Sequence, residues 1–166
     1  AANPAHKCEA RFDAAGLRLA PTKGNWEWGL SLAGWGRPDA LEAAVAAPLF
    51  AAEDRVDFDR GALTEWFVNS PAGLEHGFTL KQRPAGEGAL RFELAIAGGE
   101  AALFDDAVVF KTATSRRLRY SKLIVTDANG TQLLARIEVP APDRLQLWVD
   151  ENTAAYPLTV DPILTA

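Results

Sequence analysis

The stretch "EWFVNSPAGLEHGFTL", residues 65–80, carries the clearest indication of how this chain folds. Side chains in a β-strand point alternately to the two faces of a sheet, so apolar residues two apart share a face. The segment from Leu63 to Asn69 and the segment from Leu74 to Leu80 both follow this spacing, and "SPAG" (70–73) between them has the composition of a turn. We therefore predict a strand, a tight turn and a second strand. One face would carry Leu63, Phe67, Leu74, His76, Phe78 and Leu80, and Trp66 and Val68 would lie on the other.

The same alternation recurs along the rest of the 166 residues. It is found in "NWEWGLSL" (25–32), "DRVDFDRG" (54–61), "ALRFELAIA" (89–97) and "RLQLWVD" (144–150). Short runs with two-residue periodicity, separated by Gly, Pro, Asn and Asp, are typical of antiparallel sheets. We predict an all-β protein: a single domain over residues 1–166, built as a two-layer antiparallel β-sandwich of about a dozen strands.

Four local features add to this prediction. Segment 37–50, "RPDALEAAVAAPLF", is either one short helix capped by Asp39 or a loop. Asn129-Gly130 favours a tight hairpin between a strand through Leu123 and Val125 and the strand that follows. A shift of the apolar phase predicts a β-bulge near Ser121 and Lys122. The last strand, through Tyr156, Leu158 and Val160, is expected to end at Asp161-Pro162 because proline cannot donate to a ladder.

Composition excludes several classes of function. The formal net charge is −5, and the arginines of "SRRLRY" (115–120) suit a solvated strand, so we expect no nucleic-acid partner. No apolar run is long enough to span a bilayer, so we expect no membrane insertion. Cys8 is the only cysteine, which rules out an internal disulfide and a cysteine-based zinc site. With only His6 and His76 as histidines, we expect no metal and no cofactor.

Calcium is left open at two places. Asp57 and Asp59 have the spacing with which a calcium loop begins, but Gly61 stands where the next ligand would fall. Asp127 and Asn129 repeat that spacing without an acidic continuation. We interpret the first pair as an exposed strand face and the second as a hairpin turn.

The polar residues of residues 65–80 allow two interpretations, a catalytic site and a structural role. A catalytic site would require Glu65, Glu75 and His76 to converge at an open cavity. A structural role for His76 requires only a hydrogen-bond partner within the core. We favour the structural interpretation and predict that the protein is not an enzyme. The adjacent acids Asp105-Asp106 and Asp150-Glu151 are interpreted as solvated turn residues.

The five tryptophans offer one further kind of site. Trp148 falls on the polar side of its strand, and Trp35 lies in "AGWGRP", which we interpret as a loop. An exposed aromatic ring on a sheet face can stack against a sugar ring. A carbohydrate-binding module that uses Trp35 and Trp148 is therefore the alternative function, beside aromatic cover for a sheet edge or a neighbouring domain.

Two strings resemble a known family: "ALTEWFVNSPAGLEHGFTL" (62–80) and "AYPLTVDP" (155–162). They are similar to the N-terminal, non-catalytic β-rich domain of large secreted bacterial proteins, common in myxobacteria and their relatives, in which FG-GAP (integrin-α-like) repeats follow. In that pattern His76 stands where Gln is usual and Phe67 where Tyr is usual. The resemblance implies an exported module with no catalytic residues. Its structural motif would be Glu65, Trp66, Phe67, Asn69, Glu75, His76 and Phe78.

We expect Trp66, Phe67, Leu74 and Phe78 to anchor a central corner, and Glu65, Asn69 and Glu75 to tie its turn by hydrogen bonds. The expected function is a non-enzymatic structural or adhesion-type module, secreted or on the bacterial cell surface. Its expected partners are adjacent domains of the same polypeptide and, in addition, a glycan or a surface protein.

Overall fold

The structure, a computed structural model, describes residues 2–165 and consists there of two eight-stranded antiparallel sheets packed together, with no helix in that range. The predicted all-β sandwich is confirmed, although it has sixteen strands in the described range rather than about a dozen. The strands are β1 Ala2–Asn3, β2 Cys8–Asp13, β3 Gly16–Pro21, β4 Trp28–Arg37, β5 Ala40–Ala43, β6 Leu49–Ala52, β7 Arg55–Arg60, β8 Leu63–Ser70, β9 Gly73–Leu80, β10 Leu90–Ala97, β11 Gly99–Phe104, β12 Ala107–Thr112, β13 Arg117–Thr126, β14 Ala135–Ala141, β15 Arg144–Val149 and β16 Leu158–Thr165.

The chain passes between the two sheets several times. Sheet A has the order β1-β2-β3-β4-β10-β15-β14, with β5 paired to the end of β4. Sheet B has the order β11-β12-β13-β16-β9-β8-β7-β6. The chain therefore crosses between the sheets after β5, β9, β10, β13 and β15. Strands β8 and β9, which carry the motif of residues 65–80, lie in the interior of sheet B and are flanked by β7 and β16.

Aromatic rings from the two sheets meet in the core. Trp28 of sheet A lies 4.8 Å from Phe110 of sheet B, and Phe78 of sheet B lies 4.8 Å from Phe92 of sheet A, measured between ring centroids. All four rings are fully buried. Rings of this size dominate the burial energy of a core, and pairs at this separation add to it.

A β-bulge in β4 corrects the placement of Trp35. Leu94 pairs with Leu32 but Glu93 pairs with Gly34, which leaves Ala33 as an extra residue. The extra residue shifts the alternation by one, so Trp35 pairs with Phe92 and enters the core at 4% exposure. The interpretation of "AGWGRP" as an exposed loop is therefore wrong.

Segment 37–50 is neither a helix nor a plain loop. Ala40–Ala43 forms β5, which pairs with the second half of β4, and the chain then crosses to sheet B and begins β6 at Leu49. The Ala-rich composition favoured a helix, but backbone pairing with β4 decides the conformation instead, as tertiary contacts commonly override propensity.

The bulge predicted near Ser121 and Lys122 is confirmed, and it explains a prediction that is wrong. Pairing between β13 and β16 shifts between Ser121 and Ile124, opposite Pro162. Proline has no N–H to donate, and the register passes over it at the bulge. The last strand therefore continues past Asp161-Pro162 to Thr165.

The hairpin predicted at Asn129-Gly130 is also wrong, although the turn exists. A single antiparallel bridge joins Thr126 to Gln132, and the chain then leaves sheet B. The next strand, β14, pairs with β15 in sheet A. The turn sequence fixes only the reversal of the chain; it does not decide which sheet receives the following strand.

Candidate functional site

The register of β8 and β9 places two polar residues of the motif, Glu65 and His76, on the inner face of sheet B. Phe67 pairs with His76, and Glu65 pairs with Phe78. The imidazole of His76 stacks on the ring of Phe67, with centroids 4.5 Å apart and planes 6° from parallel. The strand-turn-strand prediction is confirmed, and His76 lies on the apolar face as predicted.

Four side chains form one hydrogen-bonded group, which we call the buried tetrad: Arg60, Glu65, His76 and Tyr120. Arg60 donates from Nε and Nη2 to Glu65 Oε2, at 2.9 and 2.6 Å. His76 Nε2 lies 3.0 Å from Glu65 Oε1, and His76 Nδ1 lies 2.8 Å from the hydroxyl of Tyr120. Each carboxylate oxygen and each ring nitrogen therefore has a partner.

The chemistry of Glu65 assigns the protons of the tetrad. Burial alone would raise its pKa, but hydrogen bonds and charge from His76 and Arg60 outweigh burial, so the pKa lies below its ordinary value. An ionised carboxylate only accepts, so His76 Nε2 carries a proton and donates it. The other ring nitrogen, Nδ1, is hydrogen-bonded to the Tyr120 hydroxyl. Burial and the nearby charges of Glu65 and Asp161 raise the pKa of Tyr120 well above its ordinary value, so the phenol keeps its proton.

A hydroxyl, an imidazole and a carboxylate in this order can activate a nucleophile when substrate reaches the hydroxyl. Here no substrate can reach it. Glu65, His76 and Tyr120 are each 0% exposed, and Phe67 and Phe78 cover the imidazole. What the arrangement can do is satisfy buried polar groups and fix the packing of β7, β8, β9 and β13.

Glu75 does not join the tetrad. It follows the outward alternation of β9 and pairs with Ile163, whereas His76 points into the core. Its charge acts instead on Asp161: burial and then the negative charge of Glu75 raise the pKa of the Asp161 carboxyl. The convergence of Glu65, Glu75 and His76 that a catalytic site requires is absent.

Trp66 covers the outer face of the same hairpin. It pairs with Gly77, and a Cβ added to Gly77 would lie 2.1 Å from the indole, so the ring fits only over a glycine. Its Nε1 donates to the Thr79 hydroxyl at 3.2 Å, and the guanidinium of Arg55 lies 4.9 Å from the ring centroid. Trp66 is buried on the outer face because Gly77 of β9 and Arg55 of β7 both contact its ring.

The turn of the hairpin is tied differently from our expectation. Ser70 closes it by donating from its hydroxyl to the Gly73 carbonyl at 3.1 Å. Asn69 instead holds strand β1: it accepts from Asn3 Nδ2 at 2.8 Å and donates to the Ala2 carbonyl at 3.1 Å. Glu65 lies in the core and Glu75 faces outward, because the alternation of the strands sends both away from the turn.

A second buried ionic group lies where the chain crosses between the sheets, and we call it the crossover clamp: Arg37, Arg83, Glu151 and Tyr156. Glu151 contacts Arg37 at 2.5 Å and Arg83 at 2.6 Å, and it accepts from the Tyr156 hydroxyl at 2.9 Å. Arg83 stands in the β9–β10 crossing, and Glu151 and Tyr156 stand in the β15–β16 crossing. The clamp therefore ties two crossings to the end of β4.

Sequence reasoning missed this clamp. Asp150 is exposed as interpreted, but Glu151 is only 2% exposed, so its assignment as a solvated turn residue is wrong. Arg37 points inward because the bulge at Ala33 shifts its phase, as it does for Trp35. The residues of the clamp come from distant parts of the chain, so no local sequence pattern links them. Recognising the bulge would have predicted only that Arg37 points inward.

The aromatic candidates for sugar binding are poorly placed. Trp35 is buried and has no face to offer. Trp148 lies on the outer face of sheet A, where Arg91 and Arg136 from the flanking strands lie over its ring at 5.4 and 4.9 Å. Its Nε1 donates to Gln146 at 3.3 Å. A sugar could stack on Trp148 only by displacing a guanidinium.

The carboxylates considered for calcium have protein partners. Asp57 pairs with Arg55 at 2.9 Å, and Asp59 lies 3.5 Å from Lys81. Asp127 accepts backbone N–H groups from Ala155, Thr131 and Asn129, which lower the pKa of its carboxyl. Within residues 2–165 no group of three or more His, Cys, Asp or Glu is arranged to hold a metal ion.

Comparison with protein-family models, with curated proteins and with solved structures gave no significant match. The described residues form no helix that is long and apolar enough to cross a membrane.

Proposed function

We propose that this chain is a non-catalytic structural and adhesion-type module of a secreted or cell-surface bacterial protein. The observation that carries the proposal is the sealed tetrad. Two polar residues of the most distinctive motif, Glu65 and His76, bond to each other and to Arg60 and Tyr120 inside the core.

The exposed parts of the molecule support the same proposal. Sheet faces and sheet edges are the surfaces with which β-sandwich modules contact neighbouring domains and partner proteins. Large apolar side chains are exposed on the edge strands, among them Phe50 on β6 and Phe104 on β11. The resemblance of residues 62–80 and 155–162 to exported bacterial modules adds the expectation of adjacent domains in the same polypeptide.

Carbohydrate binding remains the alternative, and it now depends on Trp148 alone. Titration of tryptophan fluorescence with a panel of bacterial and plant polysaccharides tests it. We expect no saturable change. Saturable quenching that is lost in Trp148→Ala, but kept in Gln146→Ala on the same face, would favour the alternative.

The non-catalytic part of the proposal is tested by turnover. We expect no hydrolysis of chromogenic esters, glycosides, phosphates or peptides by the purified protein. His76→Gln supplies the residue usual in the resembling family, and we expect it to fold with a shift in unfolding free energy below about 1.5 kcal/mol. Turnover by the wild type that disappears in His76→Gln at an unchanged thermal midpoint would contradict the proposal.

The adhesion part is tested with beads that carry the protein. We expect such beads to be retained on bacterial cell envelopes more than beads carrying an unrelated β-sandwich. Retention should respond to changes at exposed edge residues and not to His76→Gln. Equal retention of both kinds of bead would contradict an adhesion role.

A further inference from the structure

The two edge strands of sheet B carry matching aromatic side chains. Phe50 on β6 is 62% exposed and Phe104 on β11 is 61% exposed. Phe50 pairs with Asp57 in the row of Trp66, and Phe104 follows the outward alternation of β11, so both rings lie on the outer face. Isolated exposed rings are ordinary, so their meaning depends on what surrounds each of them.

The surroundings of Phe50 are acidic. Glu53 and Asp54 are exposed in the turn between β6 and β7, and Asp57 stands directly beside the ring on the neighbouring strand. Arg55 offsets one of these charges through its pair with Asp57 at 2.9 Å. We call Phe50, Glu53, Asp54 and Asp57 the acidic end of the sheet.

The surroundings of Phe104 are basic. A shallow groove of about 470 Å³ is lined by the ring, by the small apolar residues Ala102 and Val109, and by three exposed cations. Those cations are Lys111, Arg117 and Arg119. Glu100 also lines the groove, and Arg119 lies 3.5 Å from Asp106, so positive charge is in excess within the groove itself. We call Phe104, Lys111, Arg117 and Arg119 the basic end of the sheet.

The topology of sheet B brings these ends together in successive copies. All seven strand pairs in the order from β11 to β6 are antiparallel, so the two edge strands of this eight-stranded sheet run in opposite directions. A second copy displaced sideways across the sheet therefore places its β11 antiparallel to β6 of the first, with both outer faces on one side.

Side chains, rather than a long backbone ladder, must carry this contact. The N–H of Ala101 already donates to the Pro142 carbonyl at 2.8 Å, which occupies the free edge of β11 at that point. Phe104 lies three residues further along β11, and the cations lie on the outer face of the two neighbouring strands, Lys111 on β12 and Arg117 and Arg119 on β13. Opposite charges around a shared apolar centre give specificity and faster association, and the apolar rings supply the burial.

We propose that the acidic end of one copy binds the basic end of the next, so that copies of this chain associate head to tail through sheet B. This deepens the proposed function and rests on it, because self-association is then the means by which the module adheres. A symmetric contact of two β6 edges would place Glu53, Asp54 and Asp57 near their own copies, and like charges oppose it. A head-to-tail contact leaves one free end at each side and therefore builds rings or open filaments.

Sedimentation velocity across protein concentration tests the proposal. In roughly 50 mM salt we expect the sedimentation coefficient of the wild type to rise with concentration, and the association to weaken at least about tenfold near 500 mM, where surface charges are screened. Phe104→Ala/Arg117→Glu and Phe50→Ala/Asp54→Lys should each be monomeric. Lys23→Glu, an exposed change in the β3–β4 connection, should associate like the wild type.

Mixing the two double variants distinguishes the geometry. Each retains one intact end, so an equimolar mixture should give a one-to-one dimer and nothing larger. All changed residues are exposed or edge residues, and equal thermal midpoints would show that the variants remain folded. A wild type that stays monomeric at about 1 mM, where even a contact with a millimolar Kd would be substantially populated, would overturn the inference. So would self-association of Phe104→Ala/Arg117→Glu at wild-type strength.

Other occupants of the basic groove are outcomes of the same experiment. A monomeric wild type that binds heparin or an acidic peptide, with binding lost in Phe104→Ala/Arg117→Glu, would replace the second copy by that ligand. Failure of self-association with no enzymatic turnover refutes only this inference. Turnover that depends on His76 refutes the proposed function instead.

Discussion

The buried tetrad and the crossover clamp both bind a glutamate to arginine inside the protein, yet they arise in different ways. Glu65 and His76 belong to neighbouring strands of one hairpin, so the register of that hairpin brings them together. Glu151 meets Arg37 and Arg83 only because three separate crossings or strand ends converge. The Arg60, Glu65 and His76 side chains of the tetrad are at most 4% exposed, whereas the Arg83 side chain of the clamp is 42% exposed. A local pairing rule can therefore build a sealed site, while a site built from crossings stays partly open.

The largest expected effect comes from breaking the tetrad. Glu65→Ala leaves Arg60 and His76 buried without their acceptor, and removal of one member of a buried pair costs roughly 3–5 kcal/mol of unfolding free energy. Urea denaturation followed by tryptophan fluorescence measures it. Glu53→Ala, an exposed glutamate, is the matched control and should cost less than about 0.5 kcal/mol. A loss for Glu65→Ala as small as the control would show that the tetrad does not hold the core.

Breaking the clamp should cost less. Glu151→Ala removes the acceptor of Arg37, Arg83 and Tyr156, but Arg83 can turn to water, so we expect a loss of about 2–3 kcal/mol. Asp150→Ala, the exposed neighbour, is the control for the same unfolding measurement. A loss for Glu151→Ala equal to or above that for Glu65→Ala would reverse the ranking and contradict the comparison.

Acid should separate the two regions further. The pKa of Glu65 is lowered in the folded protein, so its contribution to stability is fully present above the pKa of the unfolded chain, near 4.3, and is lost as pH falls through the folded value. We expect Glu65→Gln to lose stability less steeply than the wild type below about pH 4.3. Denaturation midpoints measured from pH 7 to pH 3 test this. Parallel curves for the two proteins would show that the fold does not lower the pKa of Glu65.

The smallest expected effect is on the outer side of the same hairpin. The pKa of Asp161 is raised by burial and by the charge of Glu75, so the two carboxylates repel each other at neutral pH. Glu75→Gln should stabilise the protein at pH 7 by at most about 0.5 kcal/mol. Because the raised pKa lets Asp161 take up a proton as pH falls, the gain should shrink in acid. The thermal midpoints of the two proteins at pH 7 and pH 4 measure this, and destabilisation at pH 7 would contradict it.

The sequence predicted the parts of the fold that depend on alternation and nearby pairing. The two-residue period places His76 inward and Trp66 outward, and the phase shift at Ser121 locates a real bulge. The same rule failed at Ala33, where an unrecognised bulge turned Trp35 and Arg37 into the core. Sequence gives little warning of such a bulge, because its cause is the register of β10 some 60 residues later.

Choices between sheets were beyond the sequence. The turn at Asn129-Gly130 was recognised, but pairing of β14 with β15 rather than β13 depends on the packing of the whole sandwich. The crossover clamp follows from that packing as well. The alternation pattern could predict that Glu65 lies near His76 in the hairpin. It could not predict that Tyr120 joins them, because this depends on the strand order β13-β16-β9 in sheet B.

The most direct test of the sealed tetrad is the exchange of the His76 ring proton with water. We predict that proton NMR in water will show a downfield Nε2–H signal that is absent in His76→Gln and is protected from exchange with solvent. A protected signal would mean that the imidazole, bonded to Glu65 and Tyr120, is part of the scaffold. A His76 ring proton that exchanges as fast as that of a solvent-exposed histidine would mean an open site, and would contradict the account.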